Sequence, residues 1–166
     1  MAVRPIVRYP DPILKRPTTP VGSLTDELRN LTDDLVETMY ASPATVGLAA
    51  PQVGESVRAF ALDVSAHKKT TVHHGLVVLF DPEILERHDA DEMREGCLSL
   101  PDLTADVRRA LRIVVKGLDR EGSEVAFETE GFEARAVQHE VDHLDGLLIL
   151  DRVRGASAIY PRRTYG

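Results

Sequence analysis

A chain of 166 residues has room for one sizeable core. With 43% hydrophobic and 28% charged residues it is neither disordered nor fibrous, and no apolar run approaches the roughly 20 residues a membrane-spanning helix needs. The formal net charge of -7 excludes a general nucleic-acid binder, because neutralising phosphates takes a basic face.

Five of the ten prolines (Pro5, Pro10, Pro12, Pro17 and Pro20) fall in residues 1–22. Proline fixes φ and removes a donor, so this stretch is expected to be an extended arm on the domain surface. Ser23 is expected to open a helix, with Asp26 and Glu27 in the capping-box region. Leu24, Leu28, Leu31, Leu35 and Met39 follow at spacings of three and four, an apolar stripe that faces a core until Ser42-Pro43. Short β-like runs come next, over residues 57–64, 76–80, 84–86 and 111–118. Asp119-Arg120-Glu121-Gly122 reads as a hairpin turn leading into a strand at 125–129. A second helix spans about 132–144 and stops at Asp145-Gly146, and 147–150 reads as one more strand. Residues 151–166 form a polar tail. No repeat or linker divides the chain, so residues 1–166 are expected to form one α+β domain of mixed, mainly antiparallel sheets around the second helix.

That helix carries Gln138-His139-Glu140-Val141-Asp142-His143. Four residues turn an α-helix by about 400°, so the two imidazoles share a face about 6 Å apart along the axis. Both ring nitrogens can then reach one ion, with Glu140 beside it to handle a water proton. The same five-residue pattern also suits a solvated helix with surface histidines. Asp142 and Asp145 are either surface charges or groups that steer an imidazole N–H.

A hydrolytic site of this kind has three protein ligands and an open position. No histidine follows His143, and the only carboxylates downstream are Asp145 and Asp151. Upstream lies Glu95-Gly96-Cys97-Leu98-Ser99-Leu100-Pro101, whose Cys97 is the sole cysteine. A lone cysteine commonly packs as a small buried hydrophobe. Beside two imidazoles its thiolate would complete a set of three ligands. Gly96 lets another group come close, and Pro101 is expected to end the run.

Three segments together resemble the peptide deformylase family: Gly47-Leu48-Ala49-Ala50-Pro51-Gln52-Val53-Gly54, Glu95-Gly96-Cys97-Leu98-Ser99, and Gln138-His139-Glu140-Val141-Asp142-His143-Leu144. They lie in the family's order, and the resemblance spans roughly residues 5–153. It implies one divalent ion per chain on Cys97, His139 and His143, with Fe(II) as the usual working ion and Zn(II), Ni(II) or Co(II) as chemically suitable substitutes. Glu140 would be general base and then general acid. Gln52 and the Leu98 N–H would form an oxyanion hole, and Gly47 would admit a substrate strand to the backbone. The reaction implied is hydrolysis of the formyl group from the formyl-methionine end of nascent polypeptides, releasing formate. Apolar candidates for the methionine pocket are Val46, Met93, Leu100, Phe132 and Ala136, each equally suited to plain core packing.

The chain departs from the family pattern at Thr45 and at Asp102, where relatives carry glycine, which bears on substrate range rather than reaction class. A transient ribosome contact is a candidate partner interaction, but one made through a C-terminal helix is not expected. The tail after Val153 is shorter than the C-terminal helix of some relatives, which leaves Arg152, Arg154, Arg162 and Arg163 as a small basic patch. No secretory signal is visible, so the cytoplasm is the expected location, with no membrane partner. The rival functions are a zinc peptidase cutting internal bonds and a silent binder of peptide termini.

Overall fold

The computed structural model describes residues 2–162, so Arg163 lies outside them. Thr25, rather than Ser23, caps the first helix, α1 (Asp26–Ala41). Its side chain accepts from the Leu28 N–H at 3.2 Å. Leu24 therefore precedes the helix, and the buried stripe is Leu31, Leu35 and Met39, packed on Leu48, Ala50 and Ala61. The second helix, α2 (Gly131–Leu144), begins and ends where the sequence places it. Gly146 follows at φ +76°, where a side chain would strike the Lys15 carbonyl at 2.7 Å. Ala134, Val137, Val141 and Leu144 of α2 pack on Phe60, Leu62, Leu79, Ile113 and Val115.

Two antiparallel sheets surround α2. The larger has the order β1-β2-β3-β6-β7, made of β1 (Gly47–Ala49), β2 (Ala59–Leu62), β3 (Val77–His88), β6 (Arg112–Leu118) and β7 (Glu124–Glu130). The smaller has the order β4-β5-β8, from β4 (Asp91–Cys97), β5 (Leu100–Arg109) and β8 (Ile159–Pro161). The mixed α+β fold and its antiparallel sheets match the expectation. The β6–β7 turn also falls at Asp119–Gly122, where Gly122 adopts φ +86°.

Several local expectations are corrected. The runs at 76–80 and 84–86 are one strand, β3, made irregular where Asp81 takes φ +50° ahead of Pro82. Residues 147–150 are not a strand. The Asp151 carboxylate accepts from the Leu148 N–H at 2.8 Å, and Ile149–Asp151 turn as a 3-10 helix. Pro101 does not end a run but stands second in β5, a position that spares the ladder. The tail returns as β8, with Thr104 opposite Tyr160. The proline-rich arm is more than a surface strap: Leu14 is fully buried beside Cys97, Leu100, Leu148 and Ile149.

Candidate metal centre

Cys97 and Leu100 face each other across the β4–β5 hairpin, leaving Leu98 and Ser99 as a two-residue turn. That turn points the thiol at α2. The Cys97 Sγ lies 3.4 Å from His143 Nε2, which lies 3.2 Å from His139 Nε2, and the three ligand atoms fall within 4.8 Å of one another. Ligands at about 2.0–2.3 Å from a tetrahedral ion stand about 3.3–3.6 Å apart, so the set fits a single cation. All three side chains are largely shielded from water.

A second observation supports that fit. Glu140 is buried, and its Oε1 has no hydrogen-bond partner among the described residues. Nature rarely leaves a buried carboxylate oxygen unpaired without a reason of this kind. Burial pushes the Glu140 carboxyl above its ordinary value, against the pull of His139 and His143. Burial also opposes ionisation of Cys97, but His143 and His139 outweigh it and hold the thiol well below its usual range. A thiolate is the form that binds metals.

His139 is oriented by Glu95, whose Oε1 lies 2.8 Å from its Nδ1. This leaves Nε2 as the atom facing Cys97 and His143, the usual carboxylate–histidine–metal arrangement. Glu95 is saturated. It also accepts from Arg109 Nε at 2.8 Å and Nη2 at 3.0 Å, and from Arg135 Nη1 at 2.7 Å. Burial opposes its charge, yet His139 and Arg109 hold it far below the ordinary carboxylate range. Asp142 and Asp145 do not steer an imidazole. Asp142 binds Arg109 and Arg152, and Asp145, just past the end of α2, binds Arg58.

Gln52 is held from two sides. Its Oε1 accepts from the Ala49 N–H at 3.1 Å, which turns Nε2 toward Ser99 Oγ at 3.2 Å and Cys97 Sγ at 3.6 Å. The N-terminal arm locks this corner. Val7 N–H donates to the Gln52 carbonyl at 2.8 Å, Tyr9 N–H to the Ser99 carbonyl at 2.9 Å, and Ser99 Oγ to the Val7 carbonyl at 2.7 Å. Gly47 has a role the sequence did not suggest. A Cβ there would meet Glu140 Oε2 at 2.6 Å, so the group seated against its backbone is the Glu140 carboxylate.

A cavity of about 220 Å³ opens over these groups. Val46, Gly47, Gln52, Cys97, Leu98, Phe132, Ala136, His139 and Glu140 line it. Met93 and Leu100 do not. Leu100 is buried with Leu14, Ala105 and Val107, and Met93 sits opposite Val107 in the hairpin. Arg135 does line the cavity, and no sequence pattern marked it as a wall residue. The basic patch is split: Arg152 pairs with Asp142 and Arg154 with Glu92, while Arg162 lines the cavity.

A thiolate and two imidazoles beside an unsatisfied carboxylate, on an α+β scaffold, define a metal hydrolase. A model of the family described as polypeptide deformylase matches residues 3–158. A peptide deformylase of Halothermothrix orenii is 47% identical over 153 residues, 92% of this chain and 95% of that protein. One from Thermodesulfovibrio yellowstonii is 42% identical over 92% of this chain and 90% of its own length. The crystal structure of the Thermotoga maritima peptide deformylase superposes with a TM-score of 0.84 at 39% identity, covering 93% of this chain and all of that one (100%). The chain belongs to the polypeptide deformylase family, metal-dependent hydrolases that remove the formyl group from nascent polypeptides.

Proposed function

We propose that Glu140 is the proton carrier of this deformylation, with Cys97, His139 and His143 as ligands of one divalent ion. The observation that carries the reading is the buried Oε1 of Glu140, unpartnered beside three converging ligand atoms. Cys97, His139 and His143 would hold the cation, which would lower the pKa of water towards about 7 and so make hydroxide available at neutral pH. Glu140, buried beside the ligand atoms and lining the cavity, takes a proton from water and returns it to the departing amine. The Gln52 Nε2 and the Leu98 N–H border the same cavity and serve as donors to the oxygen that gains charge. One such donor is worth about 3 kcal/mol in the transition state.

The methionine side chain packs against Val46, Phe132 and Ala136. Fe(II) is the working ion we propose, a choice that the sulfur-and-imidazole donor set accommodates along with Zn(II), Ni(II) and Co(II). A ligand thiolate must stay reduced, which suits the cytoplasm, where nascent chains emerge. Residues 1–166 act as one catalytic domain, a reading supported by the arm and the tail both reaching the site.

Formate release from a formyl-methionyl tripeptide, using anaerobically prepared protein with its metal quantified, tests the reading. Activity should vanish on chelation and return with Fe(II). Full activity after complete chelation would overturn it.

A further inference from the structure

The cavity lining holds four cationic side chains, Lys69, Arg94, Arg135 and Arg162, against two acidic ones, Glu95 and Glu140. That balance opposes the chain as a whole, whose formal net charge is -7. Both acids are buried, at 8% and 4% exposure, so no carboxylate of the lining reaches the mouth. Arg135 is paired with Glu95, and Arg94 is held by Asp106 at 3.1 Å with its guanidinium 3.4 Å over the Tyr160 ring. Lys69 and Arg162 have no carboxylate partner among the described residues.

Local structure presents these two cations to the cavity. Lys69 sits in the loop after β2, where its N–H donates to His67 Nδ1 at 3.2 Å. The His67 ring stacks 4.0 Å from Phe132, a wall of the cavity, and Thr70 Oγ1 ties the loop to the Val64 carbonyl at 2.7 Å. Arg162 arrives from the smaller sheet, its N–H bonded to the Asp102 carbonyl at 2.8 Å directly after β8. Its Nη1 lies 3.1 Å from where a Cβ on Gly96 would stand, so the guanidinium rests over the strand that leads to Cys97.

We infer that this cavity selects formyl-methionyl peptides carrying an acidic side chain shortly after the methionine, with Lys69 and Arg162 as the specificity-determining cations. The inference rests on the deformylase reading above. Two cations at a partly enclosed mouth focus a field that raises the local concentration of anionic substrate and favours its bound form. The neutral surroundings a methionine side chain needs are deeper, at Val46, Phe132 and Ala136. Selection therefore falls on the residues that follow.

The test compares C-terminally amidated formyl-Met-Ala-Asp, formyl-Met-Ala-Asn and formyl-Met-Ala-Lys peptides, so that only the side chain differs in charge. The Asp peptide should have the highest kcat/KM, with up to about fivefold over Asn for each exposed cation. The gain should lie in KM rather than kcat, and shrink as salt rises. The Asp/Asn ratio should fall towards one in a Lys69→Gln, Arg162→Gln double variant, and a Lys69→Glu, Arg162→Glu double variant should turn the preference towards Lys. Equal kcat/KM for the three peptides would overturn the inference, as would a ratio that survives in the double variant. If no peptide released formate, the deformylase reading would fall, and calorimetric binding of the same three peptides would still decide the charge preference.

Discussion

Two glutamates lie on either side of His139, and the protein treats them in opposite ways. Glu95 comes from β4 and meets four donors, from Arg109, Arg135 and His139, so it stays ionised and fixed. Glu140 comes from α2 itself and leaves Oε1 without a partner, and burial raises its pKa. The same side chain is a strut in one place and, in the proposed function, a proton carrier in the other, and the environment sets which. Saturation makes a carboxylate good at positioning and poor at titrating.

Removing each glutamate should separate these roles. Glu140→Ala should lower kcat by about 10²–10⁴-fold, the range of general acid–base catalysis, while the metal content of the purified protein holds. A variant that keeps its kcat would break the comparison on the Glu140 side. Glu95→Ala strips the counter-charge from two buried guanidiniums and should cost about 3–5 kcal/mol in urea unfolding. The same change frees the His139 ring, and metal affinity should fall about 10–100-fold in a competitive chelator titration. Gly47→Ala puts a methyl where Glu140 Oε2 now lies, and a displacement of about 1 Å should reduce kcat by about 10²-fold with little change in stability.

The smallest effect concerns acid. Because the Glu95 pKa is depressed on folding, its stabilisation is complete above the ordinary glutamate value of 4.5 and is lost as pH falls through the lower folded value. Melting temperatures followed below pH 4.5 should therefore fall less steeply in Glu95→Gln than in the parent protein. Parallel curves would show that Glu95 is not held ionised.

Much of the centre was legible because its information is local. His139 and His143 stand four apart on one helix, a spacing that settles their shared face before any tertiary contact forms. The β6–β7 turn was equally legible, since Gly122 must adopt a positive φ that few other residues accept. Strands β4 and β5 were hidden by their charge. In β4 the buried side carries Glu95, so apolar alternation is lost there, while in β5 Leu103, Ala105 and Val107 do alternate with Thr104, Asp106 and Arg108 before the buried Arg109 interrupts them.

What the sequence determined by itself is the helix and the shared face of His139 and His143, because backbone periodicity alone places those side chains, whereas local spacing left Cys97 a candidate that the family resemblance then singled out. The tertiary structure decided which acid is saturated with donors and which one keeps an unpartnered oxygen. Arg109 lies 14 residues from Glu95 and Arg135 lies 40 away, and nothing in local spacing says that the two guanidiniums will close on one carboxylate. It also decided that the arm would pin Gln52 through Val7, and that the polar tail would return as β8 to bring Arg162 to the cavity. Such contacts depend on how sheets and helix pack in three dimensions, where burial makes every unpaired charge costly.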